Sequence, residues 1–154
     1  MSLYKNIDVD FVARTKENLD FIEQQSITFP QEVTLFLNMC YGLLVLPQQK
    51  IDDVIARMHQ ELSYYGIGDS CFMTAKEKTL KNFIRSLRNG FAHGHLQSLS
   101  LNENDDFSAI MIKDYKNKTA EKNNNPHTTI ELSLTQLKDF MKKFSCEYLH
   151  YKQL

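Results

Sequence analysis

The chain has 154 residues, 42% of them apolar, with 10 Phe and no Trp, which is enough for one domain with a real hydrophobic core. A formal charge of −1 and a pI near 6.5 argue against broad electrostatic attraction to nucleic acid, so any contact with a polyanion has to be local. The three cysteines, Cys40, Cys71 and Cys146, are scattered and odd in number, which fits neither a disulfide framework nor a CxxC metal site and suits a reducing cytoplasm.

Residues 1–10 carry no basic segment followed by an apolar one, so no secretory signal is expected. Asp8 or Asp10 can cap a first helix whose buried side is marked by Phe11, Val12, Leu19 and Ile22. The pattern breaks over 26–30, and Pro30 suits the first turn of a second helix, where its missing N–H costs nothing. That helix stops before Pro47 and is apolar on most sides, through Val33, Leu35, Phe36, Leu37, Met39, Cys40, Leu43 and Leu44, as a central core helix would be. Its apolar stretch is interrupted by Asn38 and is too short for a membrane span, which takes about 20 residues. No membrane partner is expected.

Ile51, Val54, Ile55, Met58 and Leu62 predict a third helix ending near Gly66 and Gly68. Thr74-x-x-Glu77 has the form of a capping box and predicts the start of a fourth helix, with Leu80, Phe83, Ile84, Leu87 and Phe91 on its apolar stripe. Lys78, Lys81, Arg85 and Arg88 follow at spacings of three and four and form a basic row beside that stripe. The row is a candidate RNA-binding track; read without function, it is the solvated face of an amphipathic helix. After His95 the period changes. Residues 108–115 and 128–132 are rich in β-formers and predict a hairpin joined by the polar loop 116–126. Ser133-x-x-Gln136 can cap a last helix with Leu134, Leu137, Phe140, Met141, Phe144, Tyr148 and Tyr151 inward.

The chemistry concentrates in Arg88-Asn89-Gly90-Phe91-Ala92-His93, at the end of the fourth helix. Imidazole exchanges a proton near pH 7 without a large shift, which makes His93 a candidate general acid or base. A planar guanidinium can meet two phosphate oxygens at once, which suits Arg88 to the charge that builds on a phosphoryl group. Asn89 can hold the imidazole in one tautomer or cap a backbone turn, and both uses stay open. In a reading without chemistry, Asn89-Gly90 is a helix stop, Arg88 is a cation favoured in a last turn, and His93 is a surface or capping residue. Five residues of continuous helix set two side chains about 140° apart. Either the helix breaks near Asn89-Gly90, or a second copy of the chain completes the site.

The other constellations are weaker. His93-Gly94-His95 offers only two histidines with no carboxylate or cysteine set beside them, so no metal is expected, and no cofactor motif is present. Gly66-x-Gly68 lacks the preceding strand of a dinucleotide loop.

With the run Phe83-Ile84-x-x-Leu87 before it and Ala92 and Gly94 around His93, the motif resembles the HEPN superfamily (higher eukaryotes and prokaryotes nucleotide-binding), whose phrasing is of the type LRNAxAHG. Gly90 stands where many relatives carry Ala. The resemblance extends over about residues 8 to 150, though only the motif is specific. It implies a mainly α fold, a HEPN-like bundle of about five helices with a small β-hairpin between the motif helix and the last helix, in one domain over 1–154. It implies a metal-independent RNA endonuclease working through 2′-hydroxyl attack, with Arg88, Asn89 and His93 as catalytic residues in a composite site of a homodimer. Closed two-fold symmetry is also the usual arrangement for a soluble oligomer. Such a nuclease could serve as a toxin held by an antitoxin protein, or in defence. The alternative is a non-catalytic HEPN module that binds a nucleotide or a protein.

Overall fold

The computed structural model describes residues 7–24, 38, 40, 42, 51–75, 77–100 and 107–152. Its Cα framework falls into two compact units, one of Met1–Met58 with Met141–Leu154 and one of His59–Phe140. Five α-helices have bounds among the described residues, and we number them α1 (Ile7–Gln24), α2 (Ile51–Ile55), α3 (Leu80–His93), α4 (Lys118–Lys122) and α5 (Leu134–Lys152). Four strands accompany them: β1 (Phe72–Thr74), β2 (Leu96–Ser100), β3 (Phe107–Asp114) and β4 (Thr128–Ser133).

In the first unit, Asp8 and Asp10 both lie inside α1 instead of preceding it as caps. Val12 and Thr15 are buried on its inner side. The second predicted helix falls almost wholly outside the described residues; Asn38, Cys40 and Gly42 are helical there, with Cys40 and Gly42 buried. The third predicted helix is shorter than its periodicity suggests. After Ile55 the chain tightens through bonds from Arg57 N–H to Val54 O and from Met58 N–H to Ile55 O. Such i→i+3 bonds end an α-helix by narrowing its last turn. Val54, Ile55 and Met58 are buried nonetheless, because a tight turn preserves the spacing that the helix pattern had marked.

In the second unit, Leu62 belongs to a short 3₁₀ turn, Leu62–Tyr65, closed by Gly66 in the left-handed region at φ +79°. The expected bundle with a small hairpin is corrected here: the strands form a four-stranded antiparallel sheet in the order β1-β4-β3-β2. The predicted pairing of β3 with β4 is present, from Ala109 opposite Ser133 to Asp114 opposite Thr128. Two strands alone are marginal in water. On β3, both Ala109 and Ile110 are buried, so both faces of the strand are covered, and its second edge is taken by β2, which pairs Leu96 with Ile112. On the other side β1 pairs with β4 through Phe72 and Ile130. The loop expected over 116–126 contains α4, whose Asn117 side chain caps it by accepting from Ala120 N–H at 2.9 Å.

Helix α3 packs on β3, with Leu80, Phe83, Ile84, Leu87 and Phe91 buried as the stripe predicts. Phe83 lies edge-on to Phe140, ring centres 4.9 Å apart, and Tyr65 lies 5.5 Å from Phe140. The predicted box at the start of α5 is complete: Gln136 N–H donates to Ser133 Oγ at 3.1 Å, and Ser133 N–H donates to Gln136 Oε1 at 3.0 Å. Leu137, Phe140, Met141, Phe144 and Tyr148 are fully buried, while Leu134 and Tyr151 are half-buried. No helix among the described residues is long and apolar enough to cross a membrane.

Candidate functional site

The motif lies in the last two turns of α3. The helix starts later than its predicted box because Thr74 is drawn into the sheet opposite Thr129; Thr79 caps it, its hydroxyl accepting from Asn82 N–H at 3.3 Å. It runs without a break through Asn89 and Gly90 to His93, so of the two alternatives for the motif the break near Asn89-Gly90 does not occur. A Cβ on Gly90 would run into Ile112 Cγ2. The missing side chain therefore lets the motif helix sit close on β3. Gly94 ends the helix at φ +69°, where His95 N–H bonds to Gly90 O at 2.9 Å and Gly94 N–H to Phe91 O at 3.4 Å. This pair of bonds is a Schellman closure, and it satisfies carbonyls that would otherwise be orphaned beside the motif.

Along β3, the side chains of Ile110, Ile112 and Asp114 alternate onto the face that α3 covers. The first two make an apolar row; the third replaces it with a carboxylate that is only 5% exposed. Ser86 Oγ donates to Asp114 Oδ2 at 3.1 Å, and Asn89 Nδ2 donates to Asp114 Oδ1 at 3.0 Å. A carboxylate can only accept, so the orientation of the Asn89 amide is fixed: its nitrogen faces Asp114 and its oxygen is left as an acceptor. Asp114 O also accepts from His127 N–H at 2.9 Å, and His127 Nδ1 stands 4.0 Å from Asp114 Oδ2.

His93 is exposed, one helical turn beyond Asn89 on the same side, whereas Arg88 is half-buried about 140° around the axis from His93. Among the described residues, neither makes a hydrogen bond or ion pair. The His93 ring lies 5.8 Å from the ring of His95, which in turn meets Tyr115 edge-on at 4.9 Å. His95 Nε2 is taken by Glu121 Oε1 at 3.0 Å, and the Tyr115 hydroxyl donates to Asn124 Oδ1 at 3.0 Å.

The members of the basic row part company. Lys78 precedes the helix, and its ammonium pairs with Asp69 at 3.1 Å and stands 5.6 Å above the Phe72 ring. Lys81 is exposed on the first turn. Arg85 lines a cleft of about 370 Å³ together with Asn89, Asp114, Tyr115, Lys116 and His127. A second cleft of about 260 Å³ continues past Arg85, Asp114 and His127 toward Asn82 and Glu77.

Asp114, Tyr115, Lys116 and His127 escape a reading of the sequence, since they lie far from the motif along the chain. The one signal is the break in the apolar row at Asp114, a charged residue inside a run of β-formers. Among the described residues no three His, Cys, Asp or Glu side chains gather as a metal site would require.

No curated protein and no solved structure matches the chain. The model of one protein family, described as HEPN pEK499 p136, matches residues 1–153. With that match running almost from end to end, and with the Arg-Asn-x-x-x-His motif held on a capped helix against the sheet, the chain belongs to the HEPN pEK499 p136 family.

Proposed function

We propose that the chain is an RNA endonuclease of the HEPN type that cleaves through the substrate's own 2′-hydroxyl. The 2′-oxygen gives up its proton and bonds to phosphorus, the bond from phosphorus to the 5′-oxygen breaks, and the products are a 2′,3′-cyclic phosphate and a 5′-hydroxyl that takes up a proton. His93 carries one of these proton transfers, and Arg88 meets the charge on the non-bridging oxygens. Asn89, with its nitrogen committed to Asp114, offers its oxygen to an N–H or O–H, and so serves to orient the His93 imidazole or the attacking hydroxyl. This chemistry runs on the side chains alone.

One observation carries the reading: an exposed imidazole at the end of an unbroken helix, one turn from an amide that a buried carboxylate orients. The same unbroken helix sets Arg88 away from His93, which favours a composite site in which two copies of the chain bring their motifs to one axis. In the deciding experiment, wild-type and His93→Ala protein are incubated with labelled structured RNA in EDTA, and the ends are analysed. Wild type leaves cyclic phosphate ends, and His93→Ala cuts ~10²–10⁴-fold more slowly, as expected for a lost proton-transfer group. Equal cutting by the two proteins would falsify the role of His93.

The net charge of −1 favours a second reading, a non-catalytic module of the same fold that binds a nucleotide or a protein. Cleavage by neither protein supports that reading. A role as a toxin restrained by an antitoxin protein differs only in regulation, and is tested by growth arrest on expression that Arg88→Ala abolishes.

A further inference from the structure

The cleft beside the motif has chemistry that the proton-transfer scheme does not use. Arg85 and Lys116 bring two cations to a cleft that holds one carboxylate, and His127 adds an imidazole. The Asp114 carboxylate takes its hydrogen bonds from the neutral donors Ser86 and Asn89 and keeps its charge, and neither cation pairs with it, so Arg85 and Lys116 together outweigh it in the lining. In a chain whose formal charge is −1, this is a local excess of positive charge. Lys116 and Arg85 are exposed and, among the described residues, have no carboxylate partner.

The cleft also has an aromatic wall. Tyr115 is half-buried and held from two sides, by the His95 ring and through its hydroxyl by Asn124, which also accepts from Lys113 Nζ at 3.3 Å. A ring fixed in advance loses little freedom when a flat ligand stacks on it. The rings of His93, His95 and Tyr115 succeed one another at 5.8 and 4.9 Å, so the cleft is two ring contacts from the motif imidazole. Cations beside successive rings are the features by which proteins hold single-stranded nucleic acid, phosphates on the cations and bases on the π-faces.

We propose that this cleft holds the nucleotide adjoining the scissile phosphate of a single-stranded RNA, with its base on Tyr115 and its phosphate between Arg85 and Lys116. The assignment rests on the reading of His93 as the proton-transfer group. Specificity would come from the polar floor: Asp114 and the Asn89 oxygen accept, and His127 presents a ring nitrogen, so the base or ribose edge meets fixed partners.

The test measures binding in the His93→Ala background, so that RNA is held and not cut. A labelled single-stranded RNA is titrated against this parent and against the same protein carrying Tyr115→Ala, Tyr115→Phe, Lys116→Gln or, as a control on α5, Lys143→Gln. Tyr115→Ala is expected to weaken binding about ten-fold or more, the usual effect of losing a stacking platform. Tyr115→Phe, which keeps the ring and its contact with His95 and loses only the tether to Asn124, weakens binding much less than Tyr115→Ala. Lys116→Gln weakens binding and lowers the slope of log affinity against log salt by about 0.7, the loss of one phosphate contact to a single strand. Lys143→Gln leaves both unchanged.

Unaltered affinity and salt slope in Tyr115→Ala and Lys116→Gln would overturn the assignment even if wild type cleaves RNA. Weakened binding of a free 5′-mononucleotide, with RNA affinity untouched, would overturn it too. Weakened RNA binding in a protein whose wild-type form cuts nothing would leave the cleft an RNA site and remove the nuclease alone.

Discussion

At Asn89, two uses are compatible with the sequence and the neighbouring strand narrows them. One N–H of the amide is held by Asp114, which turns the oxygen away from the carboxylate and leaves it as the acceptor open to a catalytic part. Removing the carboxylate leaves the Ser86 hydroxyl and the Asn89 amide in a buried place without their acceptor. Asp114→Ala is therefore expected to cost about 1–3 kcal/mol of stability, the penalty of unsatisfied buried groups, read as a lower midpoint in thermal unfolding. If RNA is cut, the same variant slows cutting by freeing the amide, and Ser86→Ala, which spares the bond to Asn89, slows it less. The cysteines make a second residue-level contrast. Burial pushes the Cys40 thiol well above its ordinary value, and Cys71 is buried too, whereas Cys146 is exposed. Labelling with a thiol reagent in the folded protein is expected to modify Cys146 first and Cys40 only on unfolding, because the thiolate is the reacting form. Arg88, Asn89 and His93 are legible in the sequence as a group because they lie within six consecutive residues. Asp114 is not, because its partnership with Ser86 and Asn89 is made by the fold, and inside a strand pattern one acidic residue reads as a surface position.

Elements that announce themselves by long periodicity or reciprocal caps are readable in this chain, and those made by pairing are not. The stripe of α3, the box that starts α5 and the pairing of β3 with β4 follow from local pattern. Strand β1 is three residues long, too short to show a period of two, and in Leu96–Ser100 the small polar Ser98 and Ser100 blur the alternation. Both strands exist because the central pair needs edges covered. The loop 116–126 reads as polar and unstructured, yet Asn117 can cap one helical turn within it. Two substitutions test how the motif helix is held. In an open helix Gly90→Ala would gain about 1 kcal/mol from propensity. Against Ile112 the added carbon overpacks the core, at a cost of typically 1–3 kcal/mol. The net effect is expected to be destabilising, and a rise in the unfolding midpoint would contradict the close fit of α3 on β3. Ser133→Ala removes the cap of α5 and is expected to cost about 1 kcal/mol, measured by denaturant titration.

At the scale of the whole molecule, family membership is the most legible property, since one six-residue motif and its apolar approach announce the family whose model matches residues 1–153. The four-stranded sheet is the least, since no single segment encodes it. Assembly is where the proposed site is decided. Two motifs near one axis predict a particle of twice the 18.0 kDa chain mass in light scattering. They also predict complementation: Arg88→Ala and His93→Ala proteins, each inactive, recover part of the wild-type cleavage when unfolded and refolded together, because a mixed pair contains one intact set. No recovery in mixed pairs shown to form would place Arg88 and His93 in one protomer's site. The contact of Gly90 with Ile112 has a consequence beyond this one chain. The helix position and the strand position share one volume, so they cannot diverge independently in descent. Relatives with alanine in the helix are expected to carry a slimmer side chain at the facing strand position, and the pair should be visible as a covarying exchange of bulk when their sequences are aligned.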